Sequence, residues 1–156
     1  MKLYLIRHGE AVSEQVDHER PLSEFGHREV EKVARFLVKK GAPGVNKIIH
    51  SGKKRAEQTA QIIKEIFSPQ SQFIVQEGLS PNDPVEPIFK MIQESQQDLM
   101  IVGHLPSLSR LASKLVVGKE EKEIVAFHTG TVVALEKKSG RAWAILFSMS
   151  PSQIPT

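Results

Sequence analysis

Lys2-Leu3-Tyr4-Leu5-Ile6-Arg7-His8-Gly9-Glu10 opens the chain with a short apolar run that breaks off abruptly into charge. The run from Lys2 to Ile6 has strand length, and its break puts Arg7 to Glu10 in a loop at the edge of a sheet. The same transition recurs twice. Lys47 to His50 leads through Ser51 into a helical stripe of Ala56, Thr59, Ala60, Ile63 and Phe67, and Leu99 to Val102 reads as a fully buried central strand. That strand ends at Gly103-His104, followed by a stripe of Leu108, Leu111, Ala112 and Leu115. Strand, polar end, helix is the alternation of an α/β domain, here with five or six strands in a mostly parallel central sheet between helical layers. The carboxyl ends of parallel strands share one edge, so Arg7-His8, His50-Ser51 and Gly103-His104 are expected to converge in one crevice.

The remaining elements fit that frame. Ser23 is placed to cap a helix carrying Val30, Val33, Ala34, Leu37 and Val38 inward, stopped by Gly41, Pro43 and Gly44. Ser51 is read as a cap of the second helix. Phe73 to Val75 is a third strand, and a loop from Pro81 to Pro87 delivers a helix with Val85, Ile88, Phe89 and Ile92 inward. Closing strands near Thr131 to Glu136 and Ala142 to Ser148 are joined by a turn at Lys138-Ser139-Gly140, and no repeat or low-complexity segment interrupts the chain. One domain is expected over residues 1–150, with 151–156 a loose tail.

Composition narrows the function. At 156 residues and without cysteine, the chain has one sizeable core and no disulfide or thiolate metal ligand, which fits a reducing cytoplasm. Met1 to Ile6 passes at once into Arg7 and His8 rather than into an apolar leader, and no apolar run approaches the roughly 20 residues of a membrane span. A soluble, cytoplasmic protein is expected, with no membrane partner. A formal charge of +3 suits nucleic acid, an anionic substrate or an acidic partner. With aromatics at 6% and no basic run interleaved with them, nucleic acid is set aside.

Histidine at the end of a buried strand can donate one ring nitrogen to backbone and present the other as a neutral nucleophile. Arg7 beside His8 supplies a permanent cationic fork for phosphate oxygens, and Gly9 lets a substrate approach the backbone. Taken alone, Arg-His-Gly reads as a surface histidine beside a solvated arginine. Company changes that: Arg55 lies one turn into a helix whose N-terminus follows a strand, an arrangement that favours an anion, and His104 again stands between strand and helix. His18, His27, His50 and His128 are read as surface or structural residues. No metal-ligand spacing occurs, so no metal is expected.

In this order, Arg7-His8-Gly9, then Ser51 with Arg55-Ala56 and Gln58-Thr59-Ala60, then Gly103-His104-Leu105-Pro106, the sequence resembles the histidine phosphatase superfamily, the phosphoglycerate mutase-like enzymes. Arg20-Pro21-Leu22-Ser23 with Gly26, and the short chain, resemble more narrowly the SixA-type phosphohistidine phosphatases. Gly52 departs from the pattern, in which proline often follows the serine. The resemblance implies a three-layer α/β/α fold of the phosphoglycerate mutase-like kind without a helical lid, and no cofactor. It implies His8 as a nucleophile transiently phosphorylated, with Arg7, Arg55 and His104 binding the phosphoryl oxygens and hence catalytic. Arg20 and Ser51 are candidate substrate-binding residues, Arg20 being read also as a partner of the following helix.

For the general acid, Glu77 and Asp83 lie in the region where larger relatives keep a proton-donating carboxylate. Glu10 is a third candidate, although its place beside Arg7 suggests an ordinary ion pair. Imidazole, whose conjugate acid has a pKa of about 6.5, leaves readily and needs little acid. With only a short loop from Gln76 to Pro84 where a lid would sit, the expected site is open. The expected substrate is phosphohistidine on a signalling or phosphotransfer protein, such as a histidine-containing phosphotransfer domain. The alternatives are a small phosphoester, cleaved by a broad phosphomonoesterase, and a non-catalytic phosphate-binding docking module. Lys53 and Lys54 either steer an acidic partner or form a solvated helix start.

Overall fold

The computed structural model describes residues 1–137 and 142–155. Along the chain run β1 (Lys2–Arg7), α1 (Glu24–Lys39), β2 (Lys47–His50), α2 (Lys54–Phe67), β3 (Gln72–Val75), α3 (Glu86–Glu94), β4 (Leu99–Gly103), α4 (Ser107–Val117), β5 (Val132–Lys137) and β6 (Trp143–Met149). The six strands form one sheet in the order β3-β2-β4-β1-β5-β6. β1 to β4 are mutually parallel, while β5 and β6 join antiparallel at one side. The strands expected from the sequence are all present, with ends displaced by a residue or two. The turn expected at Lys138-Ser139-Gly140 lies outside the described residues.

Strand alternation builds two cores. Leu3, Leu5, Ile49, Leu99, Ile101, Val133 and Leu135 point to the face covered by α3 and α4. Tyr4, Ile6, Ile48, Met100, Val102, Val132 and Ala134 point to the face covered by α1 and α2. A period of two on strands buried on both faces gives the three layers. Each fully buried aliphatic side chain contributes about 1.5–3 kcal/mol, so the sheet centre, where β4 is buried throughout, is the rigid base from which the strand ends project.

Ser23 caps α1 as its sequence suggests, accepting from the Gly26 N–H at 3.0 Å. That first turn is pressed onto the loop after β1: a Cβ on Gly26 would lie 2.1 Å from the Glu10 carbonyl oxygen. Two expectations are corrected. Ser51 does not cap α2, because Gly52 turns the backbone at φ +89° and Lys53 takes the N-cap position, without a side-chain cap bond. Residues after 150 are not loose as far as they are described: Pro151–Gln153 forms a 3-10 turn with Pro151 buried. There Gln153 Oε1 accepts from Ser150 N at 2.9 Å, and Ile154 packs on the α1–α2 core. Between β3 and α3, residues 76–85 carry no helix. Among the described residues no helix is long and apolar enough to cross a membrane.

Candidate active site

The C-terminal ends of β1, β2 and β4 meet at one edge of the sheet, where Arg7 pairs in register with Gly103 and His50 with Val102. His8, one residue past β1, is 7% exposed, and His104, one past β4, is 1% exposed. Their ring centroids are 4.9 Å apart at 50°. The crevice expected from three strand ends far apart in sequence therefore exists, and it brings these two histidines into contact.

Hydrogen bonds orient both rings and fix the tautomer of His8. His8 Nδ1 lies 2.8 Å from the carbonyl oxygen of Gly9, so Nδ1 carries the proton and Nε2 keeps its lone pair. Ser51 Oγ lies 2.6 Å from His104 Nε2 and accepts from Lys53 N at 3.3 Å. The hydroxyl keeps both its hydrogen and a second lone pair for His104 Nε2, and His104 Nδ1 has no partner among the described residues. Burial, against the Gly9 carbonyl and together with the charges of Arg55, Arg7 and Arg20, pushes the His8 pKa down to about 4. Burial, with His8, Arg55, Lys53 and Arg7, pushes His104 down to about 3. Both rings are neutral at neutral pH.

The cations around them are held by backbone. Arg7 donates one terminal nitrogen to the Phe127 carbonyl at 2.9 Å, and Arg20, at φ +51°, donates Nε to the Val12 carbonyl at 3.0 Å. Burial lowers the pKa of Arg7 and Arg55, and the charge of Arg20 lowers Arg55 further. Buried Nε groups of Arg7 and Arg55 lack a partner among the described residues. Orphaned donors beside concentrated positive charge are costly unless an anion shares the site. Arg20 and Arg55 line a cleft of about 720 Å³ together with Glu14, His18, Glu19 and Lys53. Arg20 faces this cleft with its charge near enough to depress His8 and Arg55, and Lys53 is near enough to depress His104.

Two residues quoted above only as part of a pattern prove to build the loop. Thr59 Oγ1 donates to the Arg55 carbonyl at 2.7 Å and accepts from Gly9 N at 3.0 Å, tying α2 to the strand end that carries His8. Gln58 Oε1 accepts from Leu22 N at 2.7 Å and anchors the segment bearing Arg20. Glu10, by contrast, accepts from the Ser23 hydroxyl at 3.2 Å instead of pairing with Arg7. Asp83 closes a turn by accepting from Ser80 N at 2.9 Å, and Glu77 is exposed beyond β3. Among the described residues no cluster of three metal-ligating groups occurs.

A family model described as histidine phosphatase superfamily (branch 1) matches residues 3–80, half of the chain. No curated protein sequence matches. Among solved structures, the protein histidine phosphatase SixA complexed with tungstate superposes with a TM-score of 0.87 at 22% identity, covering 99% of this chain and 100% of that one. An α-ribazole phosphatase from Shigella flexneri gives 0.78 at 18% identity, with 97% of each chain covered. A phosphoserine phosphatase from Entamoeba histolytica, in complex with 3-phosphoglyceric acid, gives 0.72 at 16% identity, with 99% of each covered. At these identities the likeness is one of fold.

Proposed function

The chain belongs to the histidine phosphatase superfamily, and from that premise we propose that it is a phosphatase that takes the phosphoryl group from phosphohistidine on a phosphotransfer or signalling protein, with His8 as nucleophile. The observation that carries this reading is the His8 ring: neutral, with Nδ1 committed to Gly9 and Nε2 without a hydrogen-bond partner among the described residues. In the proposed cycle Nε2 attacks phosphorus while the bond from phosphorus to the substrate nitrogen breaks, and the departing imidazole takes a proton from water. Water then attacks the phosphorus on His8, releasing inorganic phosphate and restoring the ring. Arg7, Arg55 and His104 surround the phosphoryl oxygens, where preorganised charge does most of the catalytic work.

Phosphohistidine is favoured over alcohol esters for two reasons. A good leaving group asks little of an acid, and the carboxylate of Asp83 is already engaged in its turn. The cleft is flanked by a loop and the start of α2, with no helix inserted between β3 and α3, which suits a side chain presented by another protein. The relative solved with tungstate, a phosphate-like oxyanion, is itself a protein histidine phosphatase. A small phosphoester is the second reading, favoured by the α-ribazole and phosphoserine phosphatases that share the fold. There Glu14 or Glu19, which line the cleft, would supply the proton.

The test is phosphate release from a phosphohistidine-bearing phosphotransfer domain beside p-nitrophenyl phosphate, in chelated buffer, by wild type and His8→Ala. Turnover of the protein substrate by wild type alone is expected. Preference for the ester would transfer the account to the second reading. If neither is turned over while tungstate still binds, the protein is a phosphate-binding docking module.

A further inference from the structure

His50 takes no part in the cycle above, yet it is the least expected residue near it. It ends β2 with an exposure of 0%, its ring 4.7 Å from that of Phe73. Nδ1 accepts from the Gly52 N–H at 3.1 Å, so the proton is on Nε2, which is buried and has no partner among the described residues. Burial lowers its pKa despite the carboxylate of Glu57, which keeps the ring neutral and Nδ1 able to accept. A leucine or phenylalanine would fill this place without an orphaned donor. What the imidazole adds is one acceptor, aimed at one amide.

That amide belongs to a residue in a left-handed turn. Gly52 sits at φ +89°, a conformation that favours glycine, and a Cβ there would come within 3.2 Å of Val75. The Gly52 turn sets Ser51 on one side and Lys53 on the other, and the Ser51 hydroxyl reaches both His104 Nε2 and Lys53 N. Proline at 52 would offer no N–H and would hold φ near −65°. His50 and Gly52 are therefore one device: the imidazole holds the turn that the glycine permits.

We infer that His50 is a positioning residue, which through the Gly52 amide fixes the Ser51 hydroxyl against His104 Nε2 and so keeps the His104 proton on Nδ1. This deepens the proposed function, since it rests on His104 facing the phosphoryl group. Its chain of contacts, however, exists whatever the substrate.

The experiment compares wild type, His50→Asn, His50→Leu and Gly52→Pro in the full chain. Asparagine Oδ1 can stand where Nδ1 does; leucine fills the space without an acceptor; proline leaves His50 in place and removes the donor. Nitrogen-15 NMR reads the His104 tautomer directly, and kcat and KM for phosphate release are measured on the same samples. The expected result is a wild-type-like His104 signature in His50→Asn, a mixed or reversed tautomer in His50→Leu and Gly52→Pro, and a roughly tenfold loss of kcat in those two variants only. Unchanged His104 signals in Gly52→Pro would overturn the inference, and so would equal losses in asparagine and leucine, which would show that ring volume matters and the acceptor does not. If wild type released no phosphate, the proposed function would fall while the tautomer readout still decided the role of His50.

Discussion

At the residue scale, the two site histidines exchange protonation for reactivity. In the unfolded chain each takes up a proton below its ordinary pKa of 6.5, whereas the folded rings resist protonation to about 4 for His8 and about 3 for His104. Between these limits the unfolded chain binds more protons, so the unfolding free energy falls as pH falls, by up to about 1.4 kcal/mol per pH unit for each ring. Urea unfolding at pH 7 and pH 5 checks this: wild type should lose stability on acidification, and His104→Asn should lose less. A stability independent of pH would contradict two buried neutral rings. The nucleophilic lone pair should likewise persist to well below pH 6, so phosphate release from an acid-stable ester by wild type should fall only as pH approaches about 4. Legibility in the sequence was uneven at this scale. Arg7, His8, Arg55 and His104 stood out because each lies at a strand end or in the first turn of a helix. The hydroxyl of Thr59 bonds Gly9 across 50 positions, and the Phe127 carbonyl meets Arg7 across 120, and neither leaves a local signal.

At the element scale, function depends on how closely α1 and α2 press on the loop after β1. Replacing Gly26 by alanine ought to favour the helix by about 1 kcal/mol from propensity alone. The contact decides otherwise, because the new Cβ would meet the Glu10 carbonyl at 2.1 Å and would have to push α1 off the loop. We expect Gly26→Ala to cost a net 1–3 kcal/mol, roughly, by urea unfolding and to lower kcat, since the loop carries His8. An unchanged stability would show that the contact relaxes freely. Thr59→Val keeps the side-chain volume and removes the acceptor of the buried Gly9 N–H; a loss of about 1–3 kcal/mol is expected, with a matching fall in turnover. Most elements could be read from apolar spacing, because β1, β2 and β4 are buried and both faces of the sheet demand apolar residues. The start of α2 could not. Serine after a strand is an ordinary cap signal, and only the left-handed turn at Gly52 releases Ser51 to His104.

On the scale of the whole molecule, positive charge is gathered where the strand ends meet. Arg20, Lys53, Lys54 and Arg55 line the cleft against Glu14 and Glu19, within a chain of net charge +3. An acidic protein substrate should therefore be steered to the site, and kcat/KM for it should fall as salt rises from about 0.01 M to about 0.15 M, where the screening length drops from ~30 Å to ~8 Å. A small neutral-bodied ester should respond less; equal responses would argue against steering of a protein partner. The layered α/β/α architecture was legible because strand and helix alternate without interruption. The packed end of the chain was not, since the burial of Pro151 and the partial burial of Ile154 arise only once the rest of the fold is in place to receive them.

The proposed cycle passes phosphorus through His8 Nε2. Its most direct test is to mix wild-type protein with a phosphohistidine-bearing phosphotransfer domain, quench within a turnover in alkali, and map the phosphoryl group on the chain by mass spectrometry. An acid-labile adduct is expected on the peptide containing His8, and none in His8→Ala. Phosphate release without any adduct on His8, or with one on another residue, would contradict it.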